Sequence, residues 1–120
     1  MDDLLVERVL RAVECTPAGR VLTYGDIAAV VGCGPRQAAA VLSHWGASVA
    51  WWRVVNARGL LPAGLRERAR PHWIDEGVPT SADGGVRLGE CRWSLEALAE
   101  AWRRATADLP RTGGTGSGGC

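Results

Sequence analysis

Residues 47–59, ASVAWWRVVNARG, set two tryptophans directly before an arginine and a Val-Val pair, in a chain with six Trp, one Tyr and no Phe. Trp51 and Trp52 offer large apolar faces, and Arg53 beside them offers a planar cation suited to a cation–π contact or a phosphate. If Trp51 and Trp52 are alternate inward and outward residues of a strand entering the core, burial alone accounts for one ring. It does not account for the arginine. Thiols, the usual nucleophiles, lie elsewhere: Cys15, Cys33, Cys91 and Cys120 have no C-x-x-C spacing. His44 and His72, like Trp73 and Trp93, read as packing or surface residues, and two isolated histidines make no metal site.

The whole chain bounds what these residues can serve. At 120 residues it has the length of one domain. The net charge is +1, and all 14 cations are arginines. An all-Arg set has two readings, a preference for planar bidentate phosphate contacts or the mark of a GC-rich genome. No run of 18 apolar residues exists, so no membrane span is expected, and the charged amphipathic N-terminus does not read as a leader. The expected setting is cytoplasmic, with reduced thiols. The tail RTGGTGSGGC is too polar to order itself, so the expected organisation is a domain over residues 1–107 and a flexible tail over 108–120.

Local signals then predict the elements that position the aromatic and basic residues. Leu5, Val6, Val9, Leu10 and Val13 fall on one helical face after Asp2-Asp3, and Thr16-Pro17-Ala18-Gly19 ends that helix. A short extended Val21-Leu22 precedes Thr23-x-x-Asp26, a capping-box pattern that opens a helix running to Gly32. Pro35 suits the first position of the next helix, which runs to Gly46, so the pair forms a helix-turn-helix candidate. WRVVN-ARG-LLP reads as a small hairpin or wing. A helix from Leu65 to Glu76 around Pro71, a loop with a short strand at Val86–Leu88, and a helix over 94–105 complete the order. The expected fold is mainly α with a small β wing, a winged helix-turn-helix DNA-binding domain.

Three segments in sequence, Thr23-Tyr24-Gly25-Asp26-Ile27-Ala28, Gly34-Pro35-Arg36-Gln37 and Ala50 through Gly59, resemble the DNA-binding domain of the O6-alkylguanine-DNA alkyltransferases. The resemblance is stronger to the alkyltransferase-like branch. It runs from about Val21 to Gly59, with weaker echoes in EGVP at 76–79 and RLGECRW at 87–93. The family signature is Pro-Cys-His-Arg-Val, its Cys being the suicidal alkyl acceptor, which the alkyltransferase-like branch replaces, usually with Trp. Here the slot reads Ala50-Trp51-Trp52-Arg53, so both the nucleophile and the His that activates it are missing. An indole offers no lone pair activated by a low pKa or a neighbouring base, so no alkyl transfer is expected.

The resemblance implies roles for particular residues. Tyr24 would press on the phosphate 3′ of the target, beside the helix N-terminal amides of Gly25 and Asp26. Arg36 would be the finger entering the base stack, with Gln37 and Ala38 on the same DNA-facing helix; a solvated surface Arg is the alternative. Trp51, Trp52, Arg53 and Asn56 would belong to the lesion pocket, Arg53 as a structural tie beneath it and Asn56 as the residue that fixes the turn. Arg66 or Arg68 would sense the electron-poor face of an O6-alkylated guanine, although a solvated basic helix start fits them equally. The implied function is non-catalytic recognition of O6-alkylguanine in duplex DNA by minor-groove binding and nucleotide flipping. The protein would be a monomer without cofactor that marks lesions for nucleotide excision repair. Two other readings stand beside it: a winged-helix transcription regulator reading sequence with Arg36 and Gln37, and an active alkyltransferase using a cysteine outside the slot.

Overall fold

The computed structural model describes residues 2–110. The chain begins with α1 (Asp3–Cys15), capped by the Asp2 carboxylate, which accepts from the Leu4 N–H. β1 (Leu22–Thr23) leads directly into α2 (Tyr24–Val31). The capping box predicted there is complete: Thr23 Oγ1 accepts from Asp26 N at 3.0 Å and Asp26 Oδ2 accepts from Thr23 N at 3.1 Å. Gly32 ends α2 at φ 90°, a left-handed conformation that glycine adopts without strain. α3 (Pro35–Trp45) follows at once, with Pro35 in its first turn and Gln37 Oε1 accepting from Gly34 N at 2.9 Å. The helix-turn-helix thus rests on local capping chemistry.

Beyond α3 the chain makes two single 3-10 turns, Gly46–Ser48 and Trp51–Arg53, before β2 (Val54–Val55). Trp51 and Trp52 therefore sit on a tight helical turn and not on the strand, which begins at Val54. β2 pairs in parallel with β1, Leu22 with Val54 and Thr23 with Val55. Because successive strand side chains point to opposite faces, this ladder feeds two cores. Leu22 and Val54 enter the larger one, built with Val9, Val13, Ile27, Val41 and Leu98 from the helices. Val21 and Val55 enter the smaller one, with Leu61, Ala69, Trp73, Val86 and Cys91.

The expected hairpin at 54–62 does not form. Asn56 N donates to the Leu60 carbonyl at 2.9 Å, and Asn56 Oδ1 accepts from the Arg58 and Leu60 amides, so Asn56 fixes the turn. Pro62 then caps α4 (Ala63–Glu76), and this proline, which has no N–H, leaves no second arm long enough to pair. The turn is secured from elsewhere, by Val86 N donating to the Gly59 carbonyl at 2.9 Å. The predicted strand at Val86–Leu88 shrinks to one antiparallel bridge between Thr80 and Val86, because the chain turns at Leu88 into α5 (Leu88–Cys91). α4 continues unbroken through Pro71.

α6 (Leu95–Ala105) packs on α1, where the Trp102 indole N–H donates to the Arg8 carbonyl at 2.9 Å. The first residues assigned to the tail also belong to the domain, since Asp108 pairs with Arg11 at 2.5 Å and the Pro110 carbonyl accepts from Arg8. The rest of the expected tail, 111–120, lies outside the described residues. No described helix is long and apolar enough to cross a membrane.

Gly59 has a φ of +80°, and a Cβ there would stand 2.5 Å from the Val86 carbonyl oxygen. Gly59→Ala should therefore destabilise the domain by about 2 kcal/mol or more through combined strain and clash. Urea denaturation of the variant at neutral pH checks this.

Candidate nucleic-acid interface

A cleft of about 650 Å³ opens between the helix-turn-helix and the start of α4. One wall comes from Tyr24 and from Ala39, Leu42 and Ser43 of α3; Trp51 and Gly46 lie at its base, and the 56–62 loop, Arg66 and Arg68 close the far side. Its size is within the usual range for small-molecule sites. Most of its lining is apolar or aromatic, and its polar side chains are those of Tyr24, Ser43, Asn56, Arg66 and Arg68.

Five of the sequence-predicted residues meet here: Tyr24, Trp51, Asn56, Arg66 and Arg68. Tyr24 is half-buried, and that burial pushes its phenol above the ordinary value, so the hydroxyl keeps its proton. Asp26 N, expected to face a phosphate beside it, is already bound by Thr23 Oγ1. The Arg66 guanidinium is tied down, with Nε donating to the Leu61 carbonyl at 2.6 Å. Arg68 instead stands over the Trp51 ring, 5.6 Å from its centroid. Arg36 and Gln37 are exposed at the start of α3, outside the cleft lining.

Two placements differ from the sequence reading, those of Ala38 and Trp52, whereas Arg53, read as a structural tie, is bound to Glu76 and to the Thr16 carbonyl. Ala38 is fully buried, because with Val41 it forms the core-facing side of α3, and Ala39 takes its place in the cleft wall. Trp52 and Arg53 do not line the cleft. The 3-10 turn sets them against the C-terminal end of α4, where they meet a residue missed by the sequence reading except as an echo, Glu76.

The Glu76 carboxylate gathers donors from two directions. Arg53 binds it through Nε at 3.0 Å and Nη2 at 2.6 Å, the Trp52 indole N–H at 2.9 Å, and the Gly19 amide at 3.2 Å. Arg53 Nη1 also donates to the Thr16 carbonyl at 2.8 Å. Burial opposes the charge on Glu76, yet the hydrogen bonds from Arg53, Trp52 and Gly19 outweigh it and hold the carboxyl below its ordinary value. Asp26 behaves alike: burial raises its pKa, but Arg92, at 2.6 and 3.0 Å, and Thr23 bring it below the usual range.

Glu76 belongs to a pattern. Arg68, His72 and Glu76 recur every fourth residue on α4 and so share one face. Arg68 covers Trp51, His72 stacks on Trp52 at a centroid distance of 3.6 Å with 8° between planes, and Glu76 binds Arg53. One helix face thus engages the whole Trp51–Arg53 turn in register. The four-residue spacing is visible in the sequence; its partner is not.

Among the described cysteines, Cys15, Cys33 and Cys91, none lines the cleft. Burial raises the thiol pKa of Cys15 and of Cys91, which makes both poor nucleophiles. No group of three or more metal-ligating side chains is assembled among the described residues.

A helix-turn-helix backed by a small parallel ladder, with an aromatic cleft between its second helix and the following loop, defines a DNA-binding domain of the winged-helix type. The family model described as 6-O-methylguanine DNA methyltransferase, DNA binding domain, matches residues 5–76, and the chain belongs to this family. It is 35% identical over 99 residues to a DNA base-flipping protein of Escherichia coli K12, covering 78% of this chain and 77% of that one. A DNA base-flipping protein of Vibrio parahaemolyticus is 29% identical, with 98% of its length covered. The fold is similar to that of S. pombe Atl1 in a crystal structure with damaged DNA containing O6-carboxymethylguanine. There the TM-score is 0.68 at 30% identity, over 78% of this chain and 98% of that one.

The depressed pKa of Glu76 has a definite sign. Its contribution to stability is full above the ordinary value of 4.5 and is lost as pH falls through the lower folded value. Glu76→Gln should cost about 2–3 kcal/mol at pH 7, because Arg53 is left without its counter-charge. The variant should also lose less stability than the wild type on acidification below 4.5. Denaturant titrations at pH 7 and at low pH measure both effects.

Proposed function

We propose that this protein recognises O6-alkylguanine in duplex DNA by rotating the damaged nucleotide out of the helix into the Trp51 cleft, and releases it chemically unchanged. The observation that carries this reading is the cleft itself, where an indole occupies the acceptor slot and a guanidinium stands over its ring. Stacking on an aromatic side chain is worth roughly 1–3 kcal/mol per base, comparable to the few kcal/mol that flipping costs. Tyr24, protonated and lining the cleft, meets the backbone of the flipped nucleotide in this proposal. The family membership and the relatives described as base-flipping proteins support the reading.

Arg36, exposed at the first turn of α3, fills the gap left by the extruded base. Arg68 senses the lesion from its position over Trp51, since Arg66 is anchored to the Leu61 carbonyl. A chain that cannot remove the alkyl group must pass the site on, and nucleotide excision repair is the recipient in this proposal. The cleft is complete within one chain, which supports action as a monomer.

Two measurements test the proposal. A duplex with one O6-methylguanine should bind more tightly than the same duplex with guanine, at a single stated salt concentration. Mass spectrometry of the protein afterwards should show no added CH₂. Equal affinity for both duplexes would instead favour a sequence-reading regulator, and a methylated cysteine an active transferase.

Arg36 separates a stacking role from a phosphate contact. Arg36→Ala should weaken lesion binding by roughly 1–3 kcal/mol. Arg36→Lys, which keeps the charge but not the plane, should recover only part of that. Full recovery by Lys would assign Arg36 to ordinary phosphate binding.

A further inference from the structure

The Trp51 wall has no hydrogen bond of its own: among the described residues, nothing accepts from its indole N–H. Its indole packs against the smaller core, and ring contacts set its orientation there. The Trp52 edge meets it at 5.8 Å and 83°, and the His72 ring at 6.1 Å and 76°. Arg68 stands over the indole.

Trp52, by contrast, is held at several points. Its indole N–H donates to Glu76 at 2.9 Å, its carbonyl accepts from the Trp73 indole at 2.7 Å, and the Arg53 guanidinium lies 5.7 Å from its ring centroid. His72 is exposed, yet it lies flat on Trp52 at 3.6 Å while its edge contacts Trp51. Neither Trp52 nor His72 lines the cleft.

We infer that His72 is a positioning residue for lesion recognition: stacked on the anchored Trp52, it braces Trp51 in the orientation that presents a flat wall to the flipped base. This rests on reading the cleft as the lesion pocket. An unbraced indole would sample several rotamers, and the base would have to order it on entry, which reduces affinity for the lesion. The brace runs along α4 from a buried anchor at Glu76, through His72, to the cleft. It acts through Trp51 and never touches the nucleotide.

The test is a double-mutant cycle on the preference for a duplex with one O6-methylguanine over the same duplex with guanine. His72→Ala should lower the preference roughly three- to tenfold, the scale of an aromatic pair, in protein that is still folded at the assay temperature. His72→Phe restores a stacking ring and should restore the preference. In the Trp51→Ala background, which itself loses preference, adding His72→Ala should change nothing further. Wild-type preference in His72→Ala, failure of Phe to rescue, or an undiminished His72→Ala effect without Trp51 would each overturn the inference and leave the pocket standing. Wild-type preference in Trp51→Ala would overturn the pocket reading, and the brace with it.

Discussion

One buried carboxylate decides where the recognition surface points. Glu76 takes hydrogen bonds from a loop amide at Gly19 and from two consecutive side chains of the 51–53 turn. A charge with 9% of its side chain exposed would be costly without partners, so every one of these donors is required to stay in place. The end of α1, the turn carrying the tryptophans and the last turn of α4 are therefore fixed relative to one another. Trp51 lines the cleft while Trp52 and Arg53, on the same turn, are held by Glu76 outside it.

That division of labour fits the proposed function, in which a small domain holds a lesion without bond-making. In an alkyl-transfer reaction the protein needs an activated lone pair at the acceptor position, and binding only has to last until the bond forms. In the proposed function recognition is the whole result, so affinity has to come from contact area and from groups that are already ordered. An indole supplies area, and the tie to Glu76 supplies order. The arginines at the rim complete the set, one anchored to the backbone at Leu61 and one resting on the ring.

Much of the helical framework was legible from local chemistry. Thr23 and Asp26 announce the start of α2, Gly32 its end, and Pro35 the start of α3, because caps depend on residues within three or four positions. The hairpin at 54–62 failed because its turn is secured by Val86, more than twenty residues away, and because Pro62 starts a helix. Ala38 was misplaced although its three-residue spacing from the apolar Val41 carried the information. Trp52 stands outside the cleft although it adjoins Trp51 in sequence. Nothing in the sequence says that a 3-10 turn would put only the first of Trp51, Trp52 and Arg53 in the cleft, nor that the stripe Arg68–His72–Glu76 would meet it.

The two-residue ladder between β1 and β2 has a kinetic meaning. Leu22 finds Val54 across a loop that contains both α2 and α3, and Val21 bridges to Arg92 from much further along the chain. α2 and α3, adjacent in sequence, pack through short loops that close quickly, whereas these pairings close larger loops at a greater entropic cost and belong to a later stage of folding. The cleft lies on the late side of that division. A nascent or partly folded chain can hold its helix-turn-helix and still have nowhere to place a base, so the molecule gains its specificity only when the last long-range contacts are made.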